Sequence, residues 1–179
     1  MWRNSATGFG RISRLLHWLT AGLILCQLPL GFYTARAEPG LANLWLFGAH
    51  KTLGLAALAL VAVRLVWHRM SPPPPPLGPA AAPENRLARA THRGLYALML
   101  VLPLAGWVAS SASGLDILFL NRWVVPPLAP VSPALEEAGF ALHRLLAWAL
   151  AGLVALHVAG ALRRALGGDG TLRRMLRGA

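Results

Sequence analysis

The chain has 179 residues, 56% hydrophobic and 13% charged, about half the charged share of an ordinary soluble domain. Seventeen basic against six acidic residues give a net charge of +11, but long apolar runs interrupt the basic residues, so no solvated face for nucleic acid is expected. The single cysteine, Cys26, excludes an intramolecular disulfide, a Cys-held iron–sulfur cluster and covalent haem attachment through C-x-x-C-H.

In chain order, membrane helices are expected over residues 12–35, 44–67, 91–112 and 137–163, within one all-α transmembrane domain spanning 1–179. The runs Leu15–Ala35, Gly94–Leu115 and Leu145–Leu162 carry no formal charge and approach the roughly 20 residues that cross a bilayer as helix. The second span holds Lys51 and Arg64, 13 residues apart, so each reaches its own interface from a helix rising about 1.5 Å per residue. The first span precedes Ala35-Arg36-Ala37 and so outlines a secretory leader, but its apolar run is longer than the usual 7–15 residues or so and is read as a span. Cys26 is expected to be buried within it. Residues 36–43 form a short turn. Residues 70–85, with five consecutive prolines at 72–76, form a stiff extended loop. Residues 112–135 form a longer loop, whose Leu115–Val125 part, with Trp123, is a candidate for the membrane interface.

Thirteen of the 17 basic residues lie on one side: Arg3, Arg11, Arg14, Arg64, Arg69, Arg86, Arg89, Arg93, Arg163, Arg164, Arg173, Arg174 and Arg177. The other side holds Arg36, Lys51, Arg122 and Arg144. The positive-inside rule then places both termini and the Pro-rich loop in the cytoplasm, with membrane lipid as a partner.

Six histidines occur, and ionisable groups inside a span are costly and usually functional. His143 and His157 lie 14 residues apart on the fourth span, about 21 Å along the axis and on nearly the same face. His17 matches the depth of His157 near the inner surface, and His50 matches His143 near the outer one. Two cross-helix imidazole pairs are a suitable axial set for haem iron held in a bundle core. Ala21, Gly54, Ala147, Gly152 and Gly160 are small residues that would admit a porphyrin. Zinc fits less well, because the pairs are too far apart to converge on one ion. Lys51, Arg64 and Arg144 are candidates for propionate or anion contacts. His92 is expected at the inner edge of the third span, shallower than a ligand, and His68 at the surface as a bystander.

Further residues carry a resemblance: Ser13-Arg14-Leu15-Leu16-His17-Trp18, Ala49-His50-Lys51-Thr52-Leu53-Gly54, Val63-Arg64-Leu65, His92 with Tyr96, and Asp169-Gly170-Thr171-Leu172-Arg173-Arg174-Met175. In this order, over nearly the whole chain, they resemble the bacterial cytochrome b561 family of di-haem membrane cytochromes. The resemblance implies a four-helix bundle in the bacterial inner membrane with two non-covalent haem b groups, and the same ligands, His17 with His157 and His50 with His143. It further implies electron transfer across the membrane, with oxidation of periplasmic superoxide and reduction of ubiquinone. At Arg164 a similar member carries a histidine associated with the quinone end, so Arg164 is a quinone-site candidate, beside His92 from its place at the inner edge of the third span. Two other readings stand beside it: a cytochrome b anchor passing electrons between a dehydrogenase or hydrogenase partner and the quinone pool, and a haem-free membrane scaffold or transporter.

Overall fold

The computed structural model describes residues 1–178. Four long helices, α1 (Arg11–Thr34), α2 (Leu44–Met70), α3 (Pro83–Ala112) and α4 (Pro133–Leu166), are followed by a short α5 (Thr171–Arg177). The four have 24, 27, 30 and 34 residues, each longer than the roughly 30 Å hydrocarbon layer at about 1.5 Å per residue. All are apolar enough to cross a membrane, and the fold is an all-α, multi-pass membrane bundle.

Helices α3 and α4 begin well before their apolar stretches. Pro83 opens α3 with Glu84 in its first turn. Ser132 caps α4, its side chain accepting the Leu135 N–H, with Pro133 as the next residue. Proline at the first helical position and an acid in the first turn both favour the helix there. A search for apolar runs overlooks such starts because they project beyond hydrocarbon.

The loop after α3 contains an element that its sequence did not announce. Strands β1 (Ile117–Phe119) and β2 (Trp123–Val125) form an antiparallel hairpin in which Leu118 faces Val124. Its tip places Leu120 and Asn121 at φ 53° and 54°. That left-handed region costs a leucine roughly 1–2 kcal/mol. Thr52 of α2 fastens the hairpin: its hydroxyl accepts the Leu120 N–H at 3.1 Å and donates to Leu118 O at 3.4 Å.

Packing is uneven around the bundle. Helix α1 runs along α2, α2 meets α3, and α3 and α4 pack along most of their lengths, whereas α4 makes no extended backbone contact with α1 or α2. A closed bundle would bring neighbours to 8–10 Å or so; here a slot remains between α4 and the α1–α2 pair. Cys26 lies exposed, contrary to its expected burial, because α1 has a packed neighbour on one side only.

Midway along the slot is an apolar layer. Ile24, Ala57, Val61, Leu95, Met99 and Leu150 form the buried core. Leu150, 1% exposed, lies seven residues after His143 and seven before His157, on nearly the same face of α4.

At the end carrying both termini, polar contacts fasten the Pro-rich loop. Arg164 donates from Nε to Asp169, from Nη1 to the buried Asn85 and from Nη2 to Leu77 O. Arg174, 8% exposed, donates to Pro75 O and lies over Phe9. Asn4 bonds Ser71, and Arg14 donates to Leu176 O. The Asp169-Gly170-Thr171 motif gains a local cause: Gly170 adopts φ 80°, and Asp169 accepts the Thr171 N–H and hydroxyl. Partial burial opposes the charged form of Asp169, but Thr171 and Arg164 outweigh it and hold the carboxyl below the usual carboxylate range. The charged form therefore stabilises the latch at neutral pH, and this contribution is lost as pH falls through about 4 and toward the lowered folded value. Asp169→Asn is expected to loosen α5 by about 1–2 kcal/mol, read as faster amide exchange over residues 171–177. Parent and variant should converge in acid, where the parent loses its charge.

Candidate functional site

The slot brings together the histidines that the sequence pairs by depth. His17 of α1 and His157 of α4 have ring centroids 6.2 Å apart. His50 of α2 and His143 of α4 are 6.1 Å apart. The pairs sit at opposite ends of the bundle, with the Leu150 layer between them. Among the described residues, no three His, Cys, Asp or Glu side chains converge as a metal-ion cage.

The pair at the hairpin end is held at several points. His143 Nδ1 lies 2.9 Å from Leu102 O. A carbonyl only accepts, so Nδ1 carries the proton and Nε2 presents its lone pair. His50 sits on a backbone whose carbonyl accepts the Gln27 side-chain N–H at 2.7 Å. Its Nδ1 is buried without a hydrogen-bond partner. Two glycines make room for the rings: a Cβ at Gly31 would lie 2.8 Å from His50 Cε1, and one at Gly106 would lie 2.8 Å from His143 Cε1 and Nδ1. A cavity of about 730 Å³ opens beside the pair. Ile24, Ala57, Met99 and Leu150 line its apolar part, and Lys51, Arg144, Arg36 and Glu136 supply its charged lining.

The pair at the terminal end is surrounded by other polar groups. Arg64 Nη2 donates to His17 Nδ1 at 3.0 Å and the guanidinium lies over the Tyr96 ring, while its buried Nε has no partner. The Tyr96 hydroxyl lies 3.3 Å from His68 Nδ1, so His68 joins this cluster instead of standing apart at the surface. His92 also sits deeper than its position at the edge of an apolar run implied, with its ring centroid 5.0 Å from that of His157. The long α3–α4 packing carries this early α3 residue level with the pair. Arg164 faces the loop network described above, and each of its nitrogens is engaged there.

Of the small residues expected to admit a porphyrin, Gly54 and Ala147 line the 730 Å³ cavity, and Gly152 and Gly160 have open space around them. The glycines against imidazoles are Gly31 and Gly106, neither singled out by sequence. Gln27 carried a usable signal as an amide inside an uncharged span. Arg36, which the sequence groups with Lys51 and Arg144, joins them in lining the cavity. Nothing in the sequence pointed to Leu102 O, since any carbonyl could have played its part.

Residues 8–178 match the family described as prokaryotic cytochrome b561. A curated relative, cytochrome b561 homolog 2 of Escherichia coli (strain K12), is 33% identical over 178 residues, covering 97% of this chain and 93% of the relative. With a match that begins ahead of α1 and runs through α5, the chain belongs to the prokaryotic cytochrome b561 family of membrane electron-transfer cytochromes, which typically bind haem b.

Proposed function

We propose that the chain holds two haem b groups, one between His17 and His157 and one between His50 and His143, and carries electrons from periplasmic superoxide to ubiquinone. The supporting observation is the spacing of the imidazole pairs. Two imidazoles that shared one first-row metal, each through a ring nitrogen at about 2 Å, would have their centroids about 6 Å apart. The separations of 6.2 and 6.1 Å fit this distance. The 5.0 Å between His92 and His157 is too short for it, which favours His17 as the partner. The slot, the orphaned His50 Nδ1 and the glycines beside the rings also suit a flat cofactor.

The haems would supply one-electron chemistry on either side of the Leu150 layer. The chain's own residues prepare the sites unequally. His143 already presents Nε2. His17 accepts from Arg64 at Nδ1, which leaves the proton on Nε2; ligation through Nε2 needs that proton on Nδ1, so Arg64 must turn its donor elsewhere. A propionate is a suitable partner, since a buried guanidinium needs an anion. At the periplasmic mouth Arg36, Lys51 and Arg144 outnumber Glu136 and concentrate a small anion. At the cytoplasmic end His92 is the candidate for meeting the quinone, because Arg164 is committed to the loop. The balance is two superoxide ions giving two O2, with ubiquinone taking two electrons and two protons to ubiquinol.

The test is stopped-flow mixing of the reconstituted protein with superoxide, with and without quinone. Rapid haem reduction followed by ubiquinol formation is expected; absence of haem reduction removes the superoxide assignment. Lys51→Glu and Arg144→Glu are each expected to slow the reduction severalfold at low salt, with the difference shrinking as salt is raised. Equal rates in parent and both variants would remove the steering role.

A further inference from the structure

We infer that the β1–β2 hairpin is a lipid-binding element, seated in the leaflet at its own end of the bundle. One face of the hairpin is already used. Ile117 is 4% exposed, Thr52 clips the β1 end of the turn to α2, and Asn121 Oδ1 would lie 2.8 Å from a Cβ at Gly48. The opposite face is apolar and uncovered. The cross-strand partners Leu118 and Val124 stand on it, 38% and 61% exposed, with Leu120 at the tip 58% exposed, while Trp123, paired with Phe119 on the Ile117 face, is 53% exposed at its rim.

Three observations select lipid as the occupant. The uncharged run that holds most of α3 continues to Leu115, with Asp116 alone between it and β1, so the hairpin leaves the bundle at the edge of the hydrocarbon. Arg122 lies over the Trp123 ring at 5.3 Å, and among the described residues the one ion pair is Arg164–Asp169. An arginine stacked on an interfacial tryptophan suits the headgroup layer, where the stem lies in apolar surroundings and the charge meets phosphate. Finally, the tip places leucine at a left-handed position where glycine or asparagine is the usual residue, and an apolar environment rewards that choice. Since Ile117 and Leu115 also line the 730 Å³ cavity, a hairpin seated in lipid forms one wall of its mouth. This face is then unavailable to a soluble protein partner, leaving entry to small solutes.

The experiment is collision-accessibility EPR on the full chain in phosphatidylcholine–phosphatidylglycerol vesicles. Nitroxide labels are placed at Leu118→Cys or Val124→Cys in a Cys26→Ser background, with exposed Glu38→Cys as the reference. Each variant is used when its size-exclusion profile matches the parent. Molecular oxygen partitions into lipid, and a nickel chelate stays in water. The oxygen-to-nickel accessibility ratio is expected to be severalfold higher at 118 and 124 than at 38. A ratio equal to the reference at both positions puts the hairpin in water and overturns the inference. Exclusion of both reagents overturns it too, by showing a protein surface over the face.

Discussion

Replacing His157 by alanine is expected to reduce the haem content from two per chain to one, and replacing His143 is expected to do the same by losing the other group. Each variant removes one of the two imidazoles proposed for a site, while the second site, about 21 Å away along α4, keeps both of its own. The Leu150 layer separates the two, so neither loss should spread. In the His157 variant His17 loses the ring that stands 6.2 Å from its own. In the His143 variant His50, whose Nδ1 lacks a partner, is left without its neighbour. A pyridine haemochrome assay on purified protein measures the content, and redox titration should show one wave where the parent shows two. Unchanged content in both variants removes the bis-histidine proposal.

Gly106→Val is expected to strip the site at the hairpin end selectively, with a smaller effect from Gly31→Ala. A Cβ at either position would lie 2.8 Å from a histidine ring, so distance alone does not separate them. The difference lies in what holds each ring. His143 is tied through Nδ1 to Leu102 O, so it yields only by breaking a partly buried hydrogen bond, at a cost of about 1 kcal/mol. His50 has no such tether on its ring and can shift by a few tenths of an ångström. Valine adds two methyl groups to the collision, and overpacking of this kind costs about 1–3 kcal/mol more. The expected result is about one haem per chain for Gly106→Val and nearly two for Gly31→Ala. Equal content in the two variants would show that the Leu102 tether does not restrain His143.

Much of this architecture was legible without coordinates. Uncharged runs of bilayer length specify helices because a backbone in hydrocarbon must satisfy its own hydrogen bonds. The histidine pairs were legible for a related reason. On helices of fixed rise, distance from the last charged residue measures depth, so His17 with His157 and His50 with His143 could be matched by counting. The count misjudged His92 and His68, because their depth depends on how α3 packs against α4 and α2.

The amino-acid order by itself determined that four helices cross a membrane and that imidazoles stand at two depths. Both follow from local rules, hydropathy and helical rise, that operate within one segment. Tertiary structure alone decided that α4 stands away from α1 and α2 and leaves a slot, that Gly31 and Gly106 meet the rings, and that Leu102 O orients His143. It also decided that Arg164 fastens a loop and that a hairpin follows α3. These features depend on which surfaces of separate segments meet, and hydropathy, which treats every apolar face alike, carries no information about that choice.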